Sequence, residues 1–431
     1  MSDFVAKCNL SIQNAKSFIN SITGATPNSY VYAYIGRNTA WPDENDPPAP
    51  VDSLEDTTIT TWNQMIAAKR ILSSDVSLGI RRINWTYGTA YSIYDSANGE
   101  MYNEDFYVIN QDYRVYKCLD NNNGAVSTVE PTTISTSTFT TTDGYKWKFM
   151  FEVTASDLEK WKDDEAMPVK TLTADDGTTQ WTVQEAAVGG TIDTIVLESA
   201  GSGYVTAPSV QVVGDGASCT AIATISGGAV TKITVTNPGS GYTYATVTVG
   251  GTATGRAIIA PIKGHGADPV EELGGRFVIA NYIFSKDEDG VFPTDISYRQ
   301  IGLVLDPLAY GTTNKAVFTG APTQMYGYAL TSVSGTFTLG ETLVGETSGA
   351  TAVLVSYSTD TNVAYLNNIK GTFSLGETMT GAQSASQGVL STITNPSFEI
   401  YSGYILYIEN RSYITRQSTQ IENGRLICRF W

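Results

Sequence analysis

The sequence predicts a mainly-β protein, and three observations lead to this prediction. The chain of 431 residues contains 40 glycines and 25 tyrosines, with long tracts of Thr, Ser and Val, and this composition favours strands and turns. Charged residues make up 16% of the chain, against ~25% in typical globular proteins. Two pairs of internal repeats follow residue 185. We expect a multi-lobed, β-sandwich-like host domain with short N-terminal helices and two inserted small β-repeat modules.

The N-terminal part is expected to combine short helices with the first host strand. Residues 2–22 have apolar side chains near helical spacing, and residues 30–35 form an apolar strand-like run. Residues 41–50 contain four prolines, which exclude a helix or a central strand and stiffen this loop. A short helix is predicted at residues 61–71.

A hairpin and a half-buried strand are predicted further along. Residues 107–109 and 114–119 are expected to pair as a hairpin, followed by a turn at 120–124. The run 146–153 alternates in polarity, which predicts that Trp147 and its i+2 neighbours face the core while Lys148 faces solvent. A short surface helix is expected directly after this strand, at 155–162.

The segment between the two repeat pairs is expected to belong to the host domain. Residues 277–284 and 298–305 are strand-like, and the second run alternates, which predicts one buried face. Residues 286–290 are expected to form the turn between them, and Asp306-Pro307 ends the second strand because proline cannot donate to a sheet. The last host strands are predicted at 404–408 and 425–430, around Glu409-Asn410-Arg411.

Each repeat pair is expected to form a small closed β-module of two hairpin-like units. The first pair has an offset of 38 residues, from Gly201 to Gly239, and each copy carries a Gly-Ser-Gly-Tyr turn. The second pair has an offset of 36 residues, from Gly335 to Gly371. Periods of this size mark repeated supersecondary units, and two copies are too few for a solenoid.

These features divide the chain into five segments, and both inserts are expected to be removable without unfolding the host. The host domain is expected at 1–185 with the N-terminal helix, at 266–321, and at 398–431 with the C-terminal strands. The inserted modules are expected at 186–265 and 322–397.

The charge balance argues against several classes of partner. With 26 basic and 43 acidic residues the net charge is −17, and such a field repels nucleic-acid phosphates and anionic lipid. No apolar run approaches the ~18 residues of a membrane span, and the N-terminus lacks the pattern of a signal peptide. We therefore expect no nucleic-acid and no membrane partner.

The cysteines and the single histidine predict neither disulfides nor a zinc site. Cys8, Cys118, Cys219 and Cys428 are scattered without a Cys-x-x-Cys pair, so free buried thiols are expected. His265 lies between two glycines and has no partner histidine for a metal site. We expect it to shape the loop where the first repeat module rejoins the host.

No motif in the sequence specifies catalysis. The Gly-Ser-Gly-Tyr turns lack the Lys-Ser/Thr and the helix that a phosphate loop requires, so they are interpreted as turns with a packed tyrosine. The acidic clusters at 43–46 and 287–289 do not match a calcium loop. A glycosidase needs two carboxylates in one cleft, and with 43 acids the sequence alone gives no signal for such a pair.

Six short motifs occur in a characteristic order in the host segments. They are Ile35-Gly36-Arg37 with the loop 41–50, Arg81-Arg82-Ile83-Asn84-Trp85, Val115-Tyr116-Lys117-Cys118-Leu119-Asp120, Asp143-Gly144-Tyr145-Lys146-Trp147, Tyr298-Arg299-Gln300-Ile301 and Ile408-Glu409-Asn410-Arg411. In this order they resemble the baseplate wedge subunit of contractile-tailed, T-even-type bacteriophages, the gene product eight family. The resemblance covers about two-thirds of the chain, and both repeat pairs depart from it.

The resemblance implies a mostly-β, dimeric structural protein of the virion without enzymatic activity or cofactor. It implies that the partners are a second copy and the other baseplate wedge proteins, with no small-molecule substrate, and that assembly of the tail baseplate takes place in the host cytoplasm. The motif residues expected in structural or interface roles are Gly36, Arg37, Trp41, Arg81, Arg82, Trp85, Tyr116, Cys118, Tyr145, Trp147, Arg299, Gln300, Glu409, Asn410 and Arg411.

Two other functions stay open on the sequence alone. A receptor-binding or glycan-degrading tail protein would show a carboxylate pair in a deep cleft or a triple-stranded β-helix. A bacterial surface adhesin built from β-modules is the third possibility, and the absence of an export signal from the sequence argues against it.

Overall fold

The computed structural model of the chain describes residues 8–23, 28–53, 56–285, 292–417 and 419–430. Strands hold 41% of the chain and helices 12%, which confirms the predicted mainly-β fold. The turn predicted at 286–290 and the beginning of the helix predicted at 2–22 lie outside the described residues. In the part of the chain that the structure describes, no helix is both long and apolar enough to cross a membrane.

The helices and strands are numbered in chain order. The α-helices are α1 (Cys8–Thr23), α2 (Asp56–Gln64), α3 (Ala155–Trp161), α4 (Thr179–Glu185) and α5 (Pro269–Glu272). The first fourteen strands are β1 (Val31–Gly36), β2 (Met65–Arg70), β3 (Val76–Arg81), β4 (Tyr107–Ile109), β5 (Arg114–Asp120), β6 (Phe139–Thr140), β7 (Lys146–Glu152), β8 (Ala166–Pro168), β9 (Ile192–Ser199), β10 (Val210–Gly214), β11 (Thr220–Ser226), β12 (Ala229–Asn237), β13 (Ala245–Val249) and β14 (Thr254–Ile259). The others are β15 (Phe277–Phe284), β16 (Ser297–Leu305), β17 (Tyr326–Ser334), β18 (Thr342–Gly345), β19 (Thr351–Ser358), β20 (Val363–Lys370), β21 (Thr378–Gly381), β22 (Gln387–Thr394), β23 (Tyr404–Thr415) and β24 (Glu422–Arg429).

The chain folds into two compact units. Unit 1 consists of Met1–Ser17, Ser77–Ile279 and Ile427–Trp431, and unit 2 consists of Phe18–Val76 and Ala280–Leu426. The boundaries of these units differ from those of the five predicted segments, because each unit contains one repeat pair together with host strands. The predicted domain boundaries stay a prediction.

Unit 1 is built on an antiparallel sheet in the order β4-β5-β7-β6. The predicted hairpin is confirmed, since Tyr107 pairs with Lys117 and Ile109 with Val115. The turn predicted after β5 is confirmed by left-handed backbone at Asn122, Asn123 and Gly124. Aromatic and aliphatic side chains from this sheet fill the main core of the unit, with Trp147, Phe149 and Tyr116 fully buried.

The prediction that β7 is half-buried is wrong. Trp147 lies in the core as expected, but Lys148 is 3% exposed and Met150 is fully buried on the opposite face. Helix α4 packs on β7, and Thr136, Asp193 and His265 lie around Lys148, so both faces of the strand are removed from water. The predicted surface helix that follows is confirmed as α3, and the Thr154 hydroxyl caps its first turn.

The first repeat pair forms three two-stranded sheets rather than a closed module of two hairpins. The first strand of each copy pairs with the third strand of the other, as β9 with β14 and β12 with β11, and the second strands pair as β10 with β13. The prediction of hairpin-like units is wrong here because the two copies exchange strands. Their shared interior includes Ile195, Ile233 and Tyr242.

Unit 2 contains a sheet in the order β2-β1-β16-β23. The helix predicted at 61–71 is correct only for its first turn, because α2 ends at Gln64 and the chain continues directly into β2. The alternation of 298–305 was expected to bury one face, but residues 300–304 are buried on both faces since β16 is a central strand. β23 continues through Glu409–Arg411 to Thr415, well beyond the predicted 404–408.

The second repeat pair closes into a six-stranded barrel in the order β17-β20-β19-β18-β21-β22. Its pairs join the two copies, since β17 lies beside β20 and β22, and β18 lies beside β21. Buried leucines, alanines and aromatic residues fill the interior, and the members of this cluster all come from residues 328–390. A further four-stranded sheet in the chain has the order β24-β15-β3-β8.

Candidate functional site

A cluster of side chains from three of the sequence motifs lies in unit 2 and contacts the proline-rich loop 41–50. We call this cluster the loop anchor, and it consists of Arg37, Trp41, Glu44, Arg299, Gln300, Asn410 and the backbone of Arg411. The guanidinium of Arg37, whose backbone is left-handed with φ 56°, lies 3.6 Å from the ring centre of Trp41. The indole Nε1 of Trp41 donates to the carbonyl of Arg411 at 2.9 Å.

Arg299 is the charged centre of the loop anchor. Its Nε donates to Glu44 Oε1 at 2.6 Å and its Nη1 donates to the carbonyl of Asn38 at 2.9 Å. Burial alone would raise the pKa of the Glu44 carboxyl, but the hydrogen bonds from Arg299 and the Trp41 backbone lower it below its usual value. Glu44 is thus held as an anion by arginine and serves as an ion-pair partner.

Amide side chains complete the loop anchor on β16 and β23. Gln300 Nε2 donates to Asn410 Oδ1 at 2.8 Å, and Asn410 Nδ2 donates to the Pro48 carbonyl at 2.9 Å. The register of β16 and β23 shifts between Tyr298 and Gln300, next to these contacts. Gly36 pairs with Gln300, and a Cβ there would lie 3.1 Å from the Gln64 carbonyl.

The motif residues of unit 1 do not form one site. Arg81 contacts Asp105 at 2.6 Å, Arg82 donates to the Asp163 carbonyl at 2.8 Å, and Trp85 donates to Ser127 Oγ at 3.0 Å. The remaining ones are core residues: Trp147 pairs with Cys118 across the sheet and stacks on Tyr145 at 5.4 Å, while Tyr116 packs on Phe149 at 5.6 Å. Glu409 contacts Arg411 at 3.2 Å on the surface of β23.

A second cluster, which sequence reasoning missed, lies inside unit 1. We call it the buried charge cluster: Lys117, Lys148, Asp193, His265 and Glu272, each at most 7% exposed. Lys117 Nζ pairs with Glu272 Oε2, while Lys148 Nζ donates to the Thr136 carbonyl. The Glu272 carboxylate also accepts the backbone N–H groups of Gly266 and Asp268 at 2.9–3.0 Å.

The histidine of this cluster is held neutral. Burial first, and then the nearby Lys117 and Lys148, keep the pKa of His265 well below its usual value. Its ring lies edge-on to Tyr94 at 5.0 Å between centroids, and its nitrogens are 3.9 Å from Asp193 Oδ2 and Glu272 Oε2. Gly264 and Gly266 flank it with φ near +97°, so it shapes the loop between β14 and α5.

Two cavities adjoin the buried charge cluster. One of about 350 Å³ is lined by Tyr94, Tyr102 and Glu272, and one of about 190 Å³ is lined by Lys148, Asp193 and His265. The two lysines and two carboxylates compensate one another in charge. The arrangement is suited to tying β5, β7, β9 and the α5 loop together.

The barrel contains a symmetric pair of buried carboxylates, Glu341 and Glu377, 36 residues apart. Glu341 accepts hydrogen bonds from the backbone N–H groups of Gln383 and Ser384 at 3.0 and 2.9 Å. Glu377 accepts the equivalent bonds from Thr347 and Ser348 at 3.1 and 2.9 Å. Each copy thus holds a turn of the other copy through its glutamate.

The other predicted sites have structural roles. Gly201, Gly203, Gly239 and Gly241 take positive φ in the Gly-Ser-Gly-Tyr turns, and Tyr204 is hydrogen-bonded to the Gly250 carbonyl at 2.8 Å, which confirms turns with packed tyrosines. Among the described residues no group of three or more His, Cys, Asp or Glu side chains is placed to hold a metal ion. The acidic cluster at 287–289 lies outside the described residues.

The cysteines are free wherever the structure describes their side chains. Cys118, Cys219 and Cys428 form no disulfide, and only Cys118 is fully buried. Burial raises the pKa of the Cys118 thiol well above its usual value, so this thiol is a packing group of the core.

Comparison with models of known protein families and with curated proteins finds no match for this chain. The resemblance to baseplate wedge subunits therefore rests on the sequence motifs.

Proposed function

We propose that this chain is a structural subunit of a phage tail baseplate wedge that acts through protein–protein interfaces. The loop anchor is the observation that supports the proposal most. Three of the six motifs, which lie as much as 370 residues apart in the sequence, contribute side chains to one hydrogen-bonded cluster. Motifs that together maintain one local structure are expected to meet in the fold even when they are far apart in the sequence.

The chemistry of the two clusters favours a structural role over an enzymatic one. Charged groups are paired within the protein, as in Arg299 with Glu44 and Lys117 with Glu272. Removal of one partner from a buried pair leaves an uncompensated charge and is strongly destabilising, so these charges are required by the fold itself. We propose that the subunit has no enzymatic activity and no cofactor, and that it lies in the virion after assembly in the host cytoplasm.

The proposed partners are a second copy of the chain and other wedge proteins. The outer part of β23 carries exposed side chains, among them Tyr404 at 70%, Tyr413 at 57% and Leu406 at 43% exposed. Light scattering on the purified chain, in buffers with and without reductant, tests self-association. We expect a dimer in both buffers, and a stable monomer at micromolar concentration would count against this partner.

Deletion of the gene from the genome that carries it tests the function itself. We expect complete tailed particles to disappear and to return when the gene is supplied in trans. Complete particles that fail only in attachment to cells would instead indicate a receptor-binding protein. Complete and infective particles without the chain would overturn the proposal.

A further inference from the structure

A cleft in unit 2 has the composition of a ligand site, and neither the loop anchor nor the barrel core accounts for it. We call it the tyrosine cleft, after Tyr310, Tyr326, Tyr328 and Tyr401 in its wall. Its volume is about 430 Å³, within the roughly 300–1,000 Å³ of small-ligand pockets in proteins. Residues from α2, β17, β20 and the segment after β22 line it.

Aromatic rings form much of the wall of the tyrosine cleft. Tyr328 and Phe373 are each 4% exposed and pack edge to face at 5.4 Å, which makes a rigid floor. Tyr401 and Tyr310 stand at the rim with 52% and 36% of their surfaces exposed. An aromatic ring at an open rim presents a flat apolar face and a polar hydroxyl to an incoming ligand.

Tyr401 is held in an unusual conformation at this rim. Its backbone has φ 62°, a left-handed value that bulky side chains rarely adopt and that surrounding contacts must maintain. Its hydroxyl donates to Asn63 Oδ1 at 2.9 Å. The rim ring is therefore positioned by a hydrogen bond to another residue of the cleft.

Amide groups supply the other part of the wall. Five of the lining residues are amides: Asn63, Gln324, Asn367, Asn368 and Asn395. Gln324 and Asn367 are each 4% exposed, and their Oε1 and Oδ1 atoms have no hydrogen-bond partner among the described residues. The indole Nε1 of Trp62, another lining residue, also lacks a partner there. Buried polar atoms without partners are uncommon in folded proteins, and here donors and acceptors occur together.

The described residues that line the tyrosine cleft include no Asp, Glu, Lys, Arg or His. Transfer of a charged ligand from water into this cleft would therefore cost free energy, because no opposite charge in the described lining would compensate it. A glycosidase requires two carboxylates at the scissile bond, and the described lining provides neither. The cleft is suited to binding an uncharged, hydroxyl-rich molecule without cleaving it.

We propose that the tyrosine cleft binds a neutral saccharide. Sugar rings present apolar C–H faces that can stack on Tyr401 and Tyr310. Their hydroxyls both donate and accept hydrogen bonds, as the amide groups of the cleft do. A proline-rich peptide also binds aromatic grooves, but it has few groups to satisfy five amides. The proposal is independent of the proposed function, since a wedge subunit and a receptor-binding protein could each carry such a site.

Saturation-transfer NMR on the purified full chain tests the proposal. The probes are neutral oligosaccharides of glucose, mannose, galactose and N-acetylglucosamine at millimolar concentration, an acidic polyuronate oligomer, and a proline-rich decapeptide. We expect transfer to at least one neutral oligosaccharide and none to the other two probes. Tyr401→Ala should weaken this binding about tenfold through loss of ring stacking, and Asn395→Ala should also weaken it.

Tyr87→Ala is the matched control, because Tyr87 is an exposed tyrosine that does not line the cleft. It should bind the saccharide as the unmodified chain does, and all three variants should melt at the same temperature. The proposal is overturned if no neutral oligosaccharide binds, if the decapeptide binds instead, or if Tyr87→Ala weakens binding as much as Tyr401→Ala.

Discussion

Lys148 is a buried cation whose surroundings make its charge costly. It is 3% exposed, and its pKa is lowered to about 8 by burial first and then by the neighbouring Lys117. In the unfolded chain a lysine titrates near 10.4. Between these two values the unfolded state binds a proton that the folded state has released, so stability rises with pH in this window.

We expect Lys148→Met to remove this pH dependence. Between pH 8 and pH 10.4, Lys148 should raise the free energy of unfolding of the unmodified chain by up to about 3 kcal/mol. The variant should lack this increase. Urea melts across this range measure it. The exposed Lys263→Met serves as control and should keep the slope of the unmodified chain. Parallel slopes for Lys148→Met and the unmodified chain would show that the lysine is not buried.

The sequence could predict the core side of β7 but not the position of Lys148. The alternation identifies Trp147 as buried, yet the second face of β7 is covered by α4, and Lys148 lies beside Asp193 and His265, which are distant in the sequence. The only signal in the sequence was Met150, an apolar residue on the face opposite Trp147. Long-range covering of this kind is not encoded in local periodicity.

At the scale of elements, the barrel depends on a carboxylate in each repeat copy. Burial alone would raise the pKa of Glu341 and Glu377, but hydrogen bonds from backbone N–H and serine groups lower it below the usual value. A lowered carboxyl pKa stabilises the fold above the unfolded value of about 4.3, and the stabilisation is lost as pH falls through the folded value.

Glu341→Gln and Glu377→Gln should each destabilise the barrel by about 2–3 kcal/mol, because an amide nitrogen would face backbone donors. The loss should be largest near neutral pH and should shrink below pH about 4.3, where the unfolded carboxyls take up protons before the folded ones do. Chemical denaturation at pH 7 and pH 3.5 measures both effects. Glu346→Gln, an exposed glutamate of the same barrel, should change stability little. An effect of Glu346→Gln equal to the other two would contradict this role of the buried pair.

The loop anchor should control the mobility of residues 41–50. Trp41→Phe keeps a ring beside Arg37 but loses the hydrogen bond to the Arg411 carbonyl. We expect faster amide hydrogen exchange in residues 41–50 and unchanged exchange in β5 and β7. Arg299→Lys should have the larger effect, since lysine cannot replace both contacts of the guanidinium. Exchange in this loop that is unaffected by either change would mean that its prolines alone keep it rigid.

The elements differ in how well the sequence specifies them. Strand β1 and the hairpin of β4 and β5 follow from apolar runs and turn residues. β2 was predicted as helix because Trp62, Met65 and Ile66 fit a helical spacing, although α2 ends at Gln64 and β2 pairs with β1. The loop anchor could not be located from the sequence, since it joins residues such as Trp41 and Arg411 across 370 positions.

At the scale of the whole molecule, the two repeat pairs differ in their independence. The barrel has an interior built from its own residues, and its first and last strands meet where Gly327 pairs with Thr394. The first pair contributes Ile258 to the main core of unit 1, and Thr194 Oγ1 donates to the Leu119 carbonyl at 2.6 Å. The period of a repeat predicts a folded module, but it does not show whether side chains of that module also pack into the core of the neighbouring host strands.

We therefore expect the two deletions to behave differently. Replacing residues 327–394 by a short Gly-Ser linker should leave a soluble chain with a cooperative melt, because loop closure changes by only about 1 kcal/mol. Replacing residues 190–262 should destabilise or aggregate the chain, since it exposes Lys148 and part of the core. Thermal melts and sizing of both variants test this. Two equally stable deletion variants would contradict the shared core.

Imaging of the virion tests the central claim most directly. A copy of the chain with a C-terminal tag, expressed during infection, is labelled with a gold-coupled antibody on purified particles and viewed by electron microscopy. The proposed function predicts label at the baseplate end of contractile tails, on particles that carry the tagged chain. Label on the capsid or along the tail tube, or tailed particles that lack the chain altogether, would contradict it.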